Sequence, residues 1–364
     1  SSRVSGSEII SSNSKTSYNG NYGLNASWTI YNGSKRLKTL KQERLNNQIA
    51  ELDVATSENT IKESIAQIYI QILYAAESVR VNENTLQVSI AQRDRGQELL
   101  NAGSIAKSDL AQLEAQVSTD RYQLVTAQAT LQDYKLQLKQ LLELDGENEM
   151  NVYLPKLSDE NVLAPLPAKK DVYVSALAIR PEIEASKLNV EASELGIDIA
   201  KSSYFPTISL SAGIGTNHTS GSDFTFGEQV KNGWNNSFGL SVSVPIFNNR
   251  QTKSAVQKAK LQRETNMLSL LDEQKALYKT IESLWLDANS AQQRYAAANE
   301  KLRSTQISYD LISEQFNLGM KNTVELLTEK NNLLQAQQEQ LQAKYMAILN
   351  TQLLKFYQGD KLTL

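Results

Sequence analysis

Residue types that commonly carry chemistry are scarce in this sequence. Its 364 residues include no cysteine, which excludes disulfides, thiolate metal sites and cysteine nucleophiles. The single histidine, His218, lies among Gly, Ser and Thr residues, with no histidine or cysteine partner for metal binding or catalysis. The sequence also offers no nucleophile–base set, no metal-ligand cluster and no phosphate-binding loop. It therefore predicts neither an enzyme nor a bound cofactor or metal.

The composition narrows the class of protein further. Lys and Arg number 37 against 40 Asp and Glu, so the chain has no basic excess for binding nucleic acid. The richest apolar stretch, residues 65–76, is broken by Gln67 and Gln71, and no run approaches the roughly 20 residues of a membrane-spanning helix. No signal peptide is recognisable, and the chain starts at Ser1 without an initiator Met. We therefore expect a processed or incomplete product.

Alternating apolar and small residues mark several candidate strands. The pattern is clearest in residues 238–247 (FGLSVSVPIF) and recurs in residues 22–31 (YGLNASWTIY) and 204–215. Such alternation gives a strand one apolar face and one small, mostly polar face. We predict a hairpin of strands 204–215 and 237–247 with a long polar loop. An equivalent hairpin is predicted within residues 4–31: a strand remnant near Val4 to Ile10, a loop, and the strand from Tyr22.

The alternating segments belong to an internal repeat with an offset of 216 residues (239 − 23 = 216), which aligns Gly23 with Gly239. The same offset aligns NAGSIAKSDL, residues 101–110, with NLGMKNTVEL, residues 317–326. Proline and glycine, which destabilise helix interiors, are missing from residues 34–95 and 246–318. Apolar residues at steps of three and four predict long coiled-coil helices over 35–102 and 250–318, each about 100 Å long.

Each long helix leads into a glycine-centred turn and a second helix, predicted at 108–143 and 322–357. We therefore predict repeat 1 at 1–143, an irregular connector at 144–170, and repeat 2 at 171–364. Repeat 2 opens with a helix over 171–203, with a local break at Arg180–Pro181. The repeat offset places the counterpart of this opening helix before residue 1.

The apolar face of the strands has two candidate environments. One is a half-buried sheet in a soluble protein. The other is lipid. The two long helices favour this second environment, because helices about 100 Å long are poorly suited to bury one face of a small sheet. Four strands cannot close a barrel, for which about eight is the usual minimum, so several copies would have to pool their strands. The residues predicted to face lipid are Leu24, Trp28, Ile208, Leu210, Leu240, Val242 and Val244.

Taken together, these motifs resemble the TolC-like outer membrane efflux protein family. The resemblance is carried by residues 180–215, residues 238–251 (FGLSVSVPIFNNRQ) and the two turn motifs, and with the rods it covers nearly all of the chain. It implies an α+β membrane protein, a homotrimer whose protomers each give four strands to one 12-stranded β-barrel. A long coiled-coil α-helical barrel would continue from it. The signal sequence, the helix that opens repeat 1 and part of the first strand would then be absent from this chain.

The resemblance also implies a function and partners. The chain would be a passive exit duct in the bacterial outer membrane, spanning into the periplasm, in a tripartite pump that exports drugs or other small molecules. Its partners would be outer-membrane lipid, a periplasmic adaptor and, through the adaptor, an inner-membrane transporter that supplies the energy. The adaptor would dock at the two turns, for which a plain helix-hairpin turn is the alternative. The turn residues are Ala102, Gly103, Ser104, Leu318, Gly319 and Met320.

For the gate, the resemblance implies polar links between the helices at these tips. Asp109 stands where the family has a tip aspartate and Lys321 where its basic partner lies, so we predict that they pair between protomers in the closed state. Phe316 stands where the family often has a tyrosine, and its missing hydroxyl predicts a gate that depends more on packing.

An acidic ring that narrows the pore is also implied, with Glu325 at its position. The family's second acidic residue is Thr328 here, which predicts weaker cation binding at the mouth or a ring displaced to Glu329. A solvated helix face is the alternative for each of these charges.

Two other functions remain open from the sequence. An outer-membrane duct of a type I protein secretion system would have the same fold, because the inner-membrane partner decides the cargo. A soluble structural coiled-coil protein is the alternative from a different class. The duct would fractionate with the outer membrane and need detergent, whereas the soluble protein would not.

Overall fold

The structure, a computed structural model, describes residues 2–5, 8–11, 18–144, 151–155, 162–221 and 223–362. The strands are β1 (Ser2–Ser5), β2 (Glu8–Ser11), β3 (Asn19–Asn32), β4 (Thr207–Thr219) and β5 (Asn235–Ser243). The helices are α1 (Lys35–Asn101), α2 (Lys107–Leu141), α3 (Lys169–Ile179), α4 (Pro181–Lys201), α5 (Phe226–Asn232), α6 (Gln251–Asn317) and α7 (Thr323–Gln358). A single 3₁₀ turn, Ser202–Tyr204, follows α4.

The internal repeat is present in the backbone residue for residue. Helices α1 and α6 each have 67 residues, and their first residues, Lys35 and Gln251, differ by the repeat offset. Two consecutive residues with positive φ precede each helix: Gly33 and Ser34 before α1, and Asn249 and Arg250 before α6. Three of these four residues are not glycine, so the left-handed conformation that starts each rod is held at an energetic cost.

Strands β3, β4 and β5 form an antiparallel sheet in that order. Asn32, Thr207 and Ser243 share one row at the end of the sheet from which the long helices continue. Trp28, Leu210 and Leu240 share a second row, so the apolar residues that alternate with them lie on one face, up to a register shift between Thr29 and Tyr31 of β3. The alternation of the sequence therefore specifies the register, because a slip of one residue would move every apolar side chain to the other face.

Two strand predictions are wrong. In place of one strand near Val4 to Ile10 that pairs with β3, the structure has β1 and β2, which pair with each other. Strand β5 ends at Ser243 rather than at residue 247, so Val244 lies beyond it. Pro245 has no N–H to donate to a sheet, which accounts for the earlier end. Residues 12–17 of the predicted loop, and 145–150 and 156–161 of the connector, lie outside the described residues.

The contacts within the chain define two units: Ser1–Gln48 with Leu188–Leu268, and Ile49–Lys187 with Ser269–Leu364. The first unit holds the three-stranded sheet and the adjoining ends of α1, α4 and α6. Side-chain bonds join these helix ends. The Gln42 amide donates to the Ala192 carbonyl at 2.8 Å, and Arg263 pairs with Glu194 at 2.7 Å.

The second unit contains the apolar core, including the fully buried Tyr295 and Ile281. At the break between α3 and α4, the buried guanidinium of Arg180 pairs with Glu63 at 2.9 Å and Glu182 at 2.8 Å. The same group stacks over the ring of Tyr357 at 4.0 Å. Burial, and secondly the Glu63 carboxylate, raises the pKa of Tyr357 to about 12.

Candidate docking and gating site

The turn between α1 and α2 is a tight helix end centred on Gly103. The Ser104 amide donates to the Leu99 carbonyl at 2.8 Å, and the Gly103 amide donates to the Leu100 carbonyl at 2.9 Å. These two bonds are those of a Schellman motif, which needs a left-handed residue after the helix. Gly103 has φ +74°, a conformation that glycine adopts without the penalty of a Cβ.

The turn between α6 and α7 repeats this geometry at Gly319, where φ is +72°. The Met320 amide donates to the Gln315 carbonyl at 2.9 Å, which matches the first turn bond for bond. Its side chains differ in character, because Leu318 and Met320 are 69% and 70% exposed, whereas Ala102 and Ser104 offer little apolar surface. The structure thus brings both predicted turns to solvent, but large apolar side chains project from only one of them.

An apolar cluster ties all four helices together behind the turns. Its buried members are Leu113 of α2, Phe316 of α6 and Leu326 of α7. Partly buried residues packed against them are Leu99, Tyr309, Ile312 and Leu327. Phe316 therefore lies in the core of a protomer, where the hydroxyl of a tyrosine would need a buried partner. Its position is compatible with a gate based on packing, and the gating role itself stays a prediction.

Lys321 and Glu325 pair with each other at the start of α7. The Lys321 ammonium lies 2.5 Å from a Glu325 carboxylate oxygen. The Asn322 side chain accepts the Glu325 amide at 2.9 Å, and the Glu325 carboxylate accepts the Asn322 amide at 3.2 Å, which completes a capping box. Lys321, and secondly the Asn322 amide, holds the pKa of Glu325 below its ordinary value.

Asp109 also has a partner within its own chain. Its carboxylate accepts the Ala106 amide at 3.0 Å at the start of α2, where a negative charge is favourable beside the helix N-terminus. A contact between Asp109 and Lys321 of neighbouring protomers would thus compete with one local bond on each side. This predicted contact stays a prediction.

Two further residues bear on the candidate acidic ring: Thr328, at the family's second acidic position, and Glu329, the alternative ring residue. Thr328 donates its hydroxyl to the Val324 carbonyl at 2.8 Å and is exposed. Glu329 accepts a hydrogen bond from Ser308 of α6 at 3.0 Å, so its carboxylate links α6 to α7. Neither observation places a ring in a pore, and the roles of Glu325 and Glu329 there stay predictions.

A buried ionic cluster close to the tips escaped the sequence analysis. The Lys330 ammonium of α7 pairs with the Asp120 carboxylate of α2 and donates to the Ser89 hydroxyl of α1. Ser89 in turn donates to Asp120, whose second oxygen accepts the Gln116 amide at 2.9 Å. Lys330 and Asp120 are only 3% and 1% exposed. Burial lowers the pKa of Lys330, although the carboxylate partly offsets this effect.

A signal for this cluster was present in the sequence. Leu326, Lys330 and Leu333 follow one another at helical steps of four and three, so Lys330 interrupts an apolar stripe of α7. Asp120 follows Leu113 and Val117 in the same way on α2. Two opposite charges on buried stripes predict a pair, but the pairing of helices 210 residues apart needs the tertiary structure.

The sheet presents its apolar face to the surface of the chain. Most of the residues predicted to face lipid are more than half exposed: Leu24, Trp28, Leu240, Val242 and Val244. Ile208 and Leu210, on the central strand, are half-buried. Separately, among the described residues no helix combines the length and the apolar character needed to cross a membrane.

His218 has an ordinary packing role in the structure. Its ring meets the ring of Phe226 edge-on at 5.1 Å, next to the start of α5. Within the described ranges, no group of three or more His, Cys, Asp or Glu side chains is arranged to hold a metal ion.

Comparison with known proteins agrees with the repeat architecture. The profile of the family described as "Outer membrane efflux protein" matches residues 1–143 and 172–359. The outer membrane efflux protein BepC of Brucella suis is 25% identical over 294 residues, which cover 80% of this chain and 61% of BepC. The outer membrane protein TolC of Escherichia coli is 25% identical over 341 residues, which cover 90% of this chain and 66% of TolC.

A solved structure shows the same fold. The crystal structure of CusC superimposes with a TM-score of 0.80 at 20% identity, and the match covers 99% of this chain and 82% of the CusC chain. This chain spans less than two thirds of the length of either relative, 61% of BepC and 66% of TolC. Because the family profile matches nearly all of both repeats, the chain belongs to the Outer membrane efflux protein family.

Proposed function

We propose that this chain is the passive outer-membrane exit duct of a tripartite pump that exports drugs or other small molecules from a Gram-negative bacterium. The observation that carries the proposal is the sheet, whose edge strands β3 and β5 expose large apolar side chains such as Leu24, Trp28 and Leu240. Long polar helices continue from one end of this sheet. An exposed apolar face of this kind is stable where hydrocarbon covers it.

The sheet also supports assembly into a trimer. Strands β3 and β5 form its two edges, and unpaired edges are not tolerated in hydrocarbon. Pairing of such edges between three copies would close one barrel. The sheet supplies three strands, β3, β4 and β5, so the 12 strands implied by the family require a fourth strand from each copy. The helices of three copies would then pack side by side as a coiled-coil tube that spans into the periplasm.

Docking and opening belong to the tips in this proposal. Leu318 and Met320 provide an apolar contact for the helical hairpin of a periplasmic adaptor, and Gly103 and Gly319 leave room for a close backbone approach. The adaptor would connect the duct to an inner-membrane transporter, which supplies the energy. The duct of a type I protein secretion system would use the same contacts, because the cargo is chosen by the transporter.

Substitution on the two faces of β5 tests the proposal. Leu240→Asp places a charge on the face assigned to lipid, where Arg or Lys costs about 2–4 kcal/mol at the bilayer centre and Asp costs less. Ser241→Asp, one residue away on the opposite face, is the matched control. We expect wild type and Ser241→Asp to fractionate with the outer membrane as trimers that need detergent, and Leu240→Asp to be lost from that fraction. A wild-type protein that stays monomeric and dissolved without detergent would contradict the duct.

A further inference from the structure

The Ser89–Asp120–Lys330 cluster joins three helices at a defined height above the tips. Lys330 is seven residues into α7, about 10 Å along the helix from its first residue. Ser89 and Asp120 hold it to α1 and α2, which carry the other tip. The cluster therefore links the helix pair of repeat 2 to the helix pair of repeat 1 inside one protomer.

Stability of the folded protein alone does not account for a buried ionic cluster at this site. Burying two charges costs several kcal/mol, and well-packed apolar residues of similar volume commonly give equal or greater stability. The neighbouring positions on the same stripes of α7 and α2 are apolar, since Leu326, Leu333, Leu113 and Val117 are buried. An ionic cluster at such a site points to a requirement that an apolar contact would not meet.

We infer that Lys330, Asp120 and Ser89 form a releasable lock that fixes α7 to α1 and α2 in the closed tip and opens at low cost. The inference rests on the proposed function and names positioning residues for its gate. While the helices are together, each charge has a partner at one register only. Once the helices separate, water hydrates both charges. Two apolar side chains at the same positions would instead become exposed to water, at a cost of about 25 cal/mol per Å² of apolar surface.

The surroundings of Lys330 suit such a release. A cavity of about 190 Å³ lies beside it, lined by residues of α1, α6 and α7 that include Val88, Tyr309 and Leu334. Space next to a buried charge shortens the path by which water reaches it when the helices part. By contrast, the pair Lys301–Glu339, which joins α6 to α7 farther from the turns, is exposed to solvent.

A double-mutant cycle on the trimer tests the lock. Lys330→Met and Asp120→Leu each leave one buried group without its counter-ion, so the closed state is weakened. We expect the ratio of open to closed channels in planar bilayers to rise about tenfold, equivalent to about 1.4 kcal/mol. The double variant Lys330→Met/Asp120→Leu restores a neutral, packed contact. We expect it to stay closed like wild type but to lose export in cells, because the adaptor cannot open it.

Controls separate the lock from a general loss of structure. Lys301→Met removes an exposed pair that joins α6 to α7 and should leave conductance and export unchanged. If either apolar single variant fails to assemble, Asp120→Asn tests the same step with the same shape. Unchanged conductance in the single variants, or full export by an assembled double variant, would overturn the lock. A wild-type trimer that forms no channel at all would instead contradict the proposed function.

Discussion

The two repeats share a backbone but differ in what their tips present. Helices α1 and α6 have the same length, and both end in the same hydrogen-bonded turn around a left-handed glycine. The turn at Gly319 nevertheless carries exposed Leu318 and Met320, whereas the turn at Gly103 is flanked by small residues. The two repeats therefore hold turns of the same backbone geometry, and different side chains at these solvent-exposed turns give them different surfaces.

The polar groups diverge in the same way. Asn322 caps α7 with its side chain, whereas the equivalent residue before α2 is Ala106, which has no side-chain acceptor. Ile105 stands where repeat 2 has Lys321, so Asp109 lacks the neighbouring cation that Glu325 has. At the tips, the side-chain cap and the ion pair are thus both in repeat 2. The equivalent positions of repeat 1 can therefore serve as controls in substitution experiments.

The largest difference is expected between Phe316 and its equivalent, Leu100. Phe316 is buried among all four helices, and Phe316→Ala should cost about 3–5 kcal/mol, because it leaves a cavity in the tip cluster. Leu100 is half-buried, so Leu100→Ala should cost on the order of 1 kcal/mol. Thermal unfolding of the detergent-solubilised protein measures both, and equal shifts in the two variants would contradict the asymmetry.

Much of the helical architecture could be predicted from the sequence, because its signals are local. The predicted ends of the long helices, 102 and 318, lie one residue beyond the observed Asn101 and Asn317, since the glycines that end them act within one turn. The break at Arg180 follows from the proline after it. The early end of β5 was missed although Pro245 signalled it, because apolar alternation continues past the proline.

Side-chain pairing between helices was harder to predict. Lys330 and Asp120 interrupt apolar stripes, but a lone charge on a long polar helix reads as a solvated surface residue. The Lys321–Glu325 pair, four residues apart on one chain, is of the kind that sequence spacing does predict. Whether Lys321 exchanges this partner for Asp109 depends on the neighbouring protomer, which no local rule specifies.

A smaller effect is expected when the two caps are exchanged. Asn322→Ala removes the side chain that accepts the Glu325 amide and should cost about 1 kcal/mol of helix stability. Ala106→Asn adds a cap at the equivalent extended residue and should stabilise the start of α2 by a similar amount. Hydrogen exchange of the first-turn amides of α2 and α7 should change in opposite directions. A change of the same sign in both variants would show that the two helix starts are not equivalent.

The smallest effect concerns the charge of Glu325. Its pKa in the folded protein is lowered, so its contribution to stability is present above the ordinary value of 4.5 and is lost as the pH falls through the lowered pKa. Lys321→Met removes the largest cause of this shift, and the Glu325 pKa should rise toward 4.5. Carboxyl NMR titration of wild type and variant measures the change. A Glu325 titration unaffected by Lys321→Met would assign the shift to the Asn322 amide instead, and the two tips would then differ less in electrostatics than their sequences indicate.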